Sequence, residues 1–288
     1  MKTILITGSN GQLGSEIKKL SSKIKDFNYI FTDVEELDIT NLASIEKLFK
    51  NKKINFIINC AAYTNVDKAE TDTKNAELIN SFAVKNLAKI SSQYKCPLIH
   101  ISTDYVFNGN SEVPYKETDK TNPQSAYGKT KLHGEIEAKK AFKHIIIRTA
   151  WLYSSFGNNF VKTMLRLGKE KNEINVVSDQ IGSPTYAADL ASAILLILQQ
   201  ININDENFKQ GIYHFSNAGT CSWQEFAAEI MKQKTINCKV NPIKSSEFPT
   251  PTKRPKYSLL DKTKITKNYD IKIRDWKVAL SDCLKLYK

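Results

Sequence analysis

The sequence lacks the cysteine pattern of a disulfide-rich or metal-binding protein. Its five cysteines are widely separated along 288 residues, and no two of them form a C-x-x-C pair. Disulfide frameworks and zinc sites need paired or closely spaced ligands, and no histidine pair has zinc-ligand spacing either. The sequence therefore predicts reduced thiols, no bound metal and a cytoplasmic location.

Long apolar runs are also missing. No stretch of the chain reaches the length needed to cross a membrane, and the residues after Met1 lack the apolar core of a signal peptide. We therefore expect a soluble protein without a membrane partner.

Positive charge is abundant but not concentrated. The formal net charge is +12, yet the lysines are spread over the whole chain without a long basic block, and no nucleic-acid-binding motif is present. This distribution argues against a nucleic acid as partner. A phosphorylated small molecule would suit the charge, although a general enrichment in lysine is the simpler explanation.

A glycine-rich turn follows the first apolar segment. Residues 3–7 are apolar or β-branched, and Gly8, Gly11 and Gly14 follow at the spacing G-x-x-G-x-x-G before an amphipathic segment. This order is typical of a dinucleotide site, because glycine permits a tight turn beside a pyrophosphate and the helix N-terminus offers free amide groups. An ordinary glycine-containing loop is the alternative.

Two acidic residues follow where a Rossmann fold contacts the adenosine moiety. Asp33 ends the second predicted strand, about 20 residues beyond the glycines. A carboxylate there accepts hydrogen bonds from the ribose and repels a 2′-phosphate, so Asp33 favours NADH over NADPH. Asp38 could contact the adenine or cap the next helix, and capping is the simpler expectation.

The remaining pattern predicts an α/β fold built on a doubly wound parallel Rossmann sheet. Further buried strands are expected at residues 55–60, 97–102 and 144–149, and one long helix has apolar positions from Ala76 to Ile90. Strands and helices that alternate in this way form parallel sheets, which bind ligands at the carboxyl ends of their strands. Thr103 and Asp104 lie at such an end.

Tyr127 and Lys131 are four residues apart in a predicted helix and so share one face. A lone pair of this kind is most often a solvated surface feature. Behind a glycine turn and with the hydroxyl of Thr103 at a strand end, the pair suits reduction of a carbonyl by hydride transfer. Thr103 would orient the carbonyl oxygen, Tyr127 would protonate it, and Lys131 would lower the pKa of the phenol and hold the nicotinamide ribose.

The pattern becomes less regular beyond Trp151. We expect a dinucleotide-binding domain at residues 1–150, with returning segments near residues 178–200, and a smaller mixed α/β substrate-binding portion at residues 151–288. The proline-rich run that ends beside Arg254 suits a loop over a ligand. Arg254 could clamp a diphosphate or be an ordinary surface residue, and Trp151 could be a sugar platform or part of the core.

Several segments resemble those of the extended short-chain dehydrogenase/reductases, and among these the dTDP-4-dehydrorhamnose reductase family. The glycine turn and the Tyr127–Lys131 pair are common to the superfamily. S-T-D-Y-V-F at residues 102–107, D-Q-I-G-S-P-T at residues 179–185 and R-P-K-Y-S at residues 254–258 point to the narrower family. The similarity covers nearly the whole chain.

The resemblance implies that NADH or NADPH reduces the C4 ketone of dTDP-4-dehydro-L-rhamnose, the last step of dTDP-rhamnose synthesis for cell-surface polysaccharide. It also implies a nucleotide-sugar substrate and a monomer or homodimer. The implied substrate contacts are Thr103, Asp104, Trp151 and Arg254. The implied cofactor contacts are Gly8, Gly11, Gln12, Leu13, Gly14, Asp33, Asp38, Ile39, Ala61, Ala62, Tyr63, Thr64, Tyr127 and Lys131. Tyr63 and Tyr257 depart from the family pattern, which often has His and Asn at these positions.

Three other functions share parts of this pattern. A nucleotide-sugar dehydratase usually has an Asp-Glu pair after the threonine, whereas Tyr105 follows Asp104 here. Epimerising relatives add a cysteine and a histidine, and no cysteine is near Thr103 in the sequence. A non-catalytic nucleotide-binding subunit that regulates a partner enzyme would not need the intact set of Thr103, Tyr127 and Lys131.

Overall fold

The computed structural model describes residues 1–287 as strands and helices that alternate along most of the chain. The strands are β1 (Lys2–Thr7), β2 (Phe27–Thr32), β3 (Phe56–Asn59), β4 (Leu98–Thr103), β5 (His144–Thr149), β6 (Leu152–Tyr153), β7 (Glu173–Val177), β8 (Ile181–Gly182), β9 (Thr185–Tyr186), β10 (Gly211–Phe215), β11 (Cys221–Ser222) and β12 (Lys239–Ile243). The helices are α1 (Gln12–Ser21), α2 (Leu42–Asn51), α3 (Thr73–Glu77), α4 (Ala83–Tyr94), α5 (Ala126–Ala138), α6 (Phe160–Glu170), α7 (Ala187–Ile203), α8 (Trp223–Gln233), α9 (Thr263–Tyr269) and α10 (Trp276–Leu284).

Six of the strands form one parallel sheet in the order β10-β5-β4-β3-β1-β2. Successive side chains of a strand point to opposite faces, and in β1 Ile4 and Ile6 face one core while Leu5 faces the other. The first core contains side chains of α1 and α7, and the second those of α2, α4 and α5. The predicted α/β fold with a doubly wound parallel sheet is confirmed.

The long helix predicted around residues 76–90 is present, since the chain is helical from Thr73 to Tyr94, but it is not a regular α-helix throughout. A π-helical turn, Leu78–Phe82, separates α3 from α4. Asn80 in this turn accepts a hydrogen bond from the backbone nitrogen of Tyr63 at 2.9 Å and donates to Thr130 Oγ1 at 3.1 Å. The π-helical turn therefore points the Asn80 side chain inward, where it links its own helix to the segments that contain Tyr63 and Thr130. The apolar periodicity of the sequence does not reveal this polar contact.

A second, smaller lobe forms beyond the main sheet. Its core includes side chains of α6, α8 and α10 together with the parallel pair β7–β12. Two short strand pairs, β8–β11 and β6–β9, are formed by the segments of sequence that connect elements of the main sheet to elements of this lobe. No helix within residues 1–287 is long and apolar enough to span a bilayer.

The chain returns to the main sheet twice after residue 150. The helix α7 packs on the sheet core, as expected for the segment near residues 178–200. The strand β10 also joins the sheet, pairing with β5 along its edge. The division at residue 150 stays a prediction, and β10 is a returning strand that the sequence analysis assigned to the C-terminal portion.

A buried ion pair fastens α5 to the sheet. Glu135 accepts two hydrogen bonds from Arg148 in β5, at 2.8 and 2.7 Å, and one from Ser102 in β4 at 2.5 Å. The side chains of Arg148 and Glu135 are only 2% and 1% exposed. Because α5 also carries Tyr127 and Lys131, this pair helps to fix where those side chains lie.

We predict that replacing only one partner of this pair is costly. Glu135→Leu leaves the Arg148 guanidinium buried without its counter-charge, so the free energy of unfolding should fall by about 3–5 kcal/mol. The double variant Glu135→Leu/Arg148→Met should recover much of this loss, since no unpaired charge remains. Urea denaturation followed by circular dichroism measures both effects.

The control is Arg166→Ala, which removes an exposed ion pair with Glu170 in α6. Its effect should be below about 1 kcal/mol. A double variant no more stable than Glu135→Leu would contradict the argument from charge burial.

Candidate active site

A cleft of about 1140 Å³ opens at the carboxyl ends of the sheet strands. Its lining includes residues that follow β1, β3, β4 and β5, and it continues onto the smaller lobe through Phe160, Trp223 and Arg254. In doubly wound folds this edge of the sheet is where ligands bind. The cleft is therefore the candidate active site.

Two glycines of the turn, Gly8 and Gly14, have no room for a side chain. Gly8 has a φ of +65°, and a Cβ placed on it would lie 2.5 Å from the backbone nitrogen of Ala61. A Cβ on Gly14 would lie 2.5 Å from the carbonyl oxygen of Gly8. Helix α1 begins directly after the turn, with neither a side-chain cap nor an acidic residue in its first turn. Its first amide groups are thus available to an anionic ligand such as a pyrophosphate.

Most of the residues predicted to contact the cofactor line the cleft. They are Gly8, Gly11, Gln12, Leu13, Asp33, Asp38, Ile39, Ala61, Ala62, Thr64, Tyr127 and Lys131. Gly14 and Tyr63 do not line it. Gly14 serves the close packing of α1 on the turn, and the hydroxyl of Tyr63 donates to Asp72 at 3.0 Å. Cofactor contact by Tyr63 stays a prediction, and Gly14 contributes through packing.

The two acids after β2 have separate local roles. Asp33 accepts a hydrogen bond from the backbone nitrogen of Asn10 at 2.9 Å, which ties the glycine turn to the end of β2. Asp38 accepts from the backbone and hydroxyl of Thr40. The cap of α2 is Asn41, so the capping role expected of Asp38 is wrong. Both carboxylates face the cleft.

Thr103, Tyr127 and Lys131 all line this cleft. Tyr127 packs edge-on against Tyr105, with ring centroids 5.5 Å apart. Burial raises the pKa of Tyr127, while the Thr103 hydroxyl acts in the opposite direction. The phenol is therefore protonated at neutral pH, as a proton donor must be.

Lys131 does not set the pKa of Tyr127 in the way the sequence suggested. Its side chain is 2% exposed, and Nζ donates to the carbonyl oxygen of Ile101 at 2.6 Å. Burial lowers the pKa of Lys131 to about 8, opposed mainly by the negative charge of Glu135. The ammonium is held against β4, and burial of Tyr127 outweighs any lowering of the phenol pKa.

Asp104 is a buried carboxyl group with one oxygen unused. Its Oδ1 accepts a hydrogen bond from Thr103 Oγ1 at 3.0 Å, whereas Oδ2 has no hydrogen-bond partner among the described residues. Burial raises the pKa of Asp104 to about 7 even though the Thr103 hydrogen bond lowers it. A buried polar atom without a partner, in the wall of a cleft, is free to bind a ligand hydroxyl.

Arg254 also belongs to the cleft. It donates to Asp67 at 2.8 Å, and both side chains are about a third exposed, at 31% and 36%. Nearby, the hydroxyl of Thr252 donates to the carbonyl oxygen of Val66 at 3.0 Å. The proline-rich loop is thus fastened across the opening of the cleft, and Arg254 is not an ordinary surface residue.

Aromatic side chains form one wall of the cleft. Trp151 follows β5, with a φ of +50°, and its indole stacks on that of Trp223 at a centroid distance of 3.6 Å. Phe160 packs against Trp223 at 4.6 Å. Trp151 was predicted here, whereas Trp223 and Phe160 were not predicted as site residues. No spacing rule links these three residues, because they come from different elements.

Histidine and cysteine side chains provide no further catalytic group in the cleft near neutral pH. None of the four histidines lines the cleft, and His100 in β4 and His214 in β10 are buried. Cys60 does line it, contrary to the expectation that no cysteine lies near Thr103, but burial raises the pKa of its thiol to about 12. Within residues 1–287 no group of three or more acidic, histidine or cysteine side chains could hold a metal ion.

The family model of the RmlD substrate binding domain matches residues 1–288. The chain belongs to the RmlD family. A dTDP-4-dehydrorhamnose reductase of Aggregatibacter actinomycetemcomitans is 42% identical over 289 residues, covering 98% of each chain. The spore coat polysaccharide biosynthesis protein SpsK of Bacillus subtilis is 38% identical over 286 residues, covering 99% of this chain and 98% of its own.

Solved structures of RmlD-like proteins have the same fold. A dTDP-4-dehydrorhamnose reductase of Clostridium acetobutylicum superposes with a TM-score of 0.92 at 46% identity, covering 99% of each chain. The Bacillus anthracis reductase, solved in complex with NADP, has a TM-score of 0.92 at 39% identity, again over 99% of each chain. The family resemblance predicted from the sequence is confirmed.

The buried carboxyl group of Asp104 should make stability depend on pH. Its pKa is about 7 in the folded chain against 3.8 for the ordinary group, so the folded state binds the proton more tightly. The wild type should lose stability relative to Asp104→Asn as the pH rises from about 4 to about 7, by at most about 4 kcal/mol. Thermal melts of both proteins across this range measure the difference.

The matched control is Asp205→Asn, because the side chain of Asp205 is 79% exposed. Its stability difference from the wild type should show no comparable trend. If the stability difference between the wild type and Asp104→Asn did not change with pH, then ionisation of the Asp104 carboxyl group would not destabilise the folded protein, and the prediction would be wrong.

Proposed function

We propose that this protein is an oxidoreductase that uses NADH or NADPH to reduce the C4 ketone of dTDP-4-dehydro-L-rhamnose to dTDP-L-rhamnose. The observation that carries the proposal is that Thr103, Tyr127 and Lys131 line one cleft together with the glycine turn. Membership of the RmlD family and the names of the relatives support the choice of sugar.

The residues of the glycine turn fit a dinucleotide. The pyrophosphate would lie at Gly11, Gln12 and Leu13, where α1 begins without a cap. Asp33 and Asp38 would face the adenosine, and Lys131 the nicotinamide ribose. When bound, the reduced nicotinamide supplies the hydride. The Bacillus anthracis relative was solved with NADP, so the preference of Asp33 for NADH stays a prediction.

The chain's own residues would manage the proton and the carbonyl. Thr103 would hold the ketone oxygen by a hydrogen bond, and Tyr127 would donate the proton that this oxygen takes up. Burial keeps the phenol protonated until it is needed. Lys131, held at the carbonyl oxygen of Ile101, would keep its role at the nicotinamide ribose rather than at the phenol.

The competing reactions lack groups in this cleft. Dehydration needs a second acid beside Asp104, and Tyr105 takes that position. Epimerisation needs a cysteine base and a histidine, whereas the Cys60 thiol stays protonated near neutral pH and no histidine lines the cleft. A regulatory subunit that only binds nucleotide would leave the Thr103, Tyr127 and Lys131 set without use.

We also propose a cytoplasmic enzyme, a monomer or homodimer, that has no nucleic-acid partner. The five free cysteines support the location. The spread of lysine along the chain, rather than in one basic patch, supports the absence of a nucleic-acid partner.

Tyr127→Phe tests the reaction. The variant keeps the ring but has no proton to give, so kcat should fall by about 10²–10⁴-fold, while the Kd for NADH changes little. Oxidation of NADH or NADPH, followed by absorbance with dTDP-4-dehydro-L-rhamnose as substrate, gives kcat. Isothermal calorimetry gives the Kd.

The control is Tyr94→Phe, a tyrosine of α4 outside the cleft, which should keep full activity. Wild-type protein that oxidises neither cofactor with dTDP-, UDP- or GDP-linked 4-keto sugars would refute the enzyme and favour the regulatory subunit. Turnover with a UDP- or GDP-linked sugar alone would keep the reaction and change the substrate.

Arg254→Met tests the diphosphate contact. On substrate binding, the Arg254 guanidinium would exchange its partner Asp67 for the substrate phosphates. Loss of this side chain should therefore raise KM for the nucleotide-sugar by about 10- to 100-fold. The Kd for NADH should stay the same. Arg166→Met, on the exposed face of α6, is the control. An unchanged KM would leave Arg254 as a partner of Asp67 only.

A further inference from the structure

Trp151 has a backbone conformation that a bulky residue rarely adopts. Its φ of +50° lies in the left-handed region, where the Cβ of a residue comes too close to the following carbonyl oxygen. Such a residue keeps this conformation only when its surroundings hold it there. The contacts that hold Trp151 therefore decide where its indole stands in the cleft.

Trp223 makes one of these contacts by stacking on the Trp151 indole. The two indoles are nearly parallel, with an interplanar angle of 11° and centroids 3.6 Å apart. Gly182 packs against the same indole, since a Cβ at Gly182 would lie 2.7 Å from Trp151 Cε2. The position of Trp151 is thus set by two residues that lie far from it in the sequence.

Trp223 is itself held in place by the helix that begins with it and by the strand that precedes it. It is the first residue of α8, and Ser222 and Glu225 form a reciprocal capping box there, with hydrogen bonds of 3.1 and 2.7 Å. Just before it, β11 pairs with β8, which brings Cys221 opposite Gly182. One strand pair therefore helps to place both Trp223 and Gly182, two of the residues that contact the Trp151 indole.

We propose that Trp223 is a positioning residue for the sugar, a role that rests on the proposed function. It keeps the Trp151 ring in a fixed orientation and extends it into a rigid apolar wall, which Phe160 continues. A sugar ring packs its C–H face on such a surface, so the wall fixes the sugar while leaving the dinucleotide part of the cleft untouched.

The test compares Trp223→Leu with Trp223→Phe. Leucine keeps an apolar side chain but cannot stack, so KM for the nucleotide-sugar and the Kd for dTDP-L-rhamnose should both rise about tenfold or more. Phenylalanine still stacks and should restore part of this loss. The Kd for NADH should stay within about twofold in both variants, as a change confined to the wall requires.

Near-ultraviolet circular dichroism reports the stack directly. Two indoles in face-to-face contact give a coupled signal, which should vanish in both Trp223 variants. Trp276→Phe is the matched control, because it is the third of three tryptophans and lies 3% exposed in the smaller lobe outside the cleft. It should leave both the coupled signal and the sugar affinity unchanged.

Three outcomes would overturn the inference. The first is an unchanged affinity for the sugar in Trp223→Leu after the coupled signal is lost. The second is an equal weakening of sugar and NADH binding, which would indicate general loosening. The third is a wild type that binds no dTDP-L-rhamnose. A wild type that binds this product in a Trp223-dependent way but never reduces a ketone would refute the proposed function alone.

Discussion

The site depends on a charge pair buried beneath it. Arg148 donates two hydrogen bonds to Glu135 at almost zero exposure, and Ser102 donates a third. A buried pair of this kind is seldom worth much net stability, but its geometry is demanding because a misplaced charge would be unpaired. It fixes α5 against β4 and β5 in one register, and that register places Tyr127 and Lys131 beside Thr103.

Burial also sets the protonation of the site. The same shielding from water raises the pKa of Tyr127 and of Asp104 and lowers that of Lys131. The result is a neutral phenol, a carboxyl group poised near neutrality and a lysine that can still be charged at pH 7. The pKa of each group follows from where the fold buries it more than from which residues are its neighbours in the helix.

The smaller lobe decides what meets these groups. It contributes the stacked indoles of Trp151 and Trp223 on one side and the loop that carries Arg254 on another. The two contributions differ in rigidity. The indoles are packed beside a capped helix and a strand pair, whereas Arg254 is paired with Asp67, itself about a third exposed, which a substrate phosphate could replace as its partner.

The sequence by itself determined the parallel α/β fold, the glycine turn and the Thr103, Tyr127 and Lys131 set, because strand periodicity and short motifs are local. Tertiary structure alone decided the rest. It paired the hydroxyl of Tyr63 with Asp72, placed a π-helical turn at Asn80 within the long helix and added β10 to the sheet. It also brought Trp223 against Trp151, since a contact between side chains 72 positions apart depends on how the lobes pack and leaves no periodic trace in the chain.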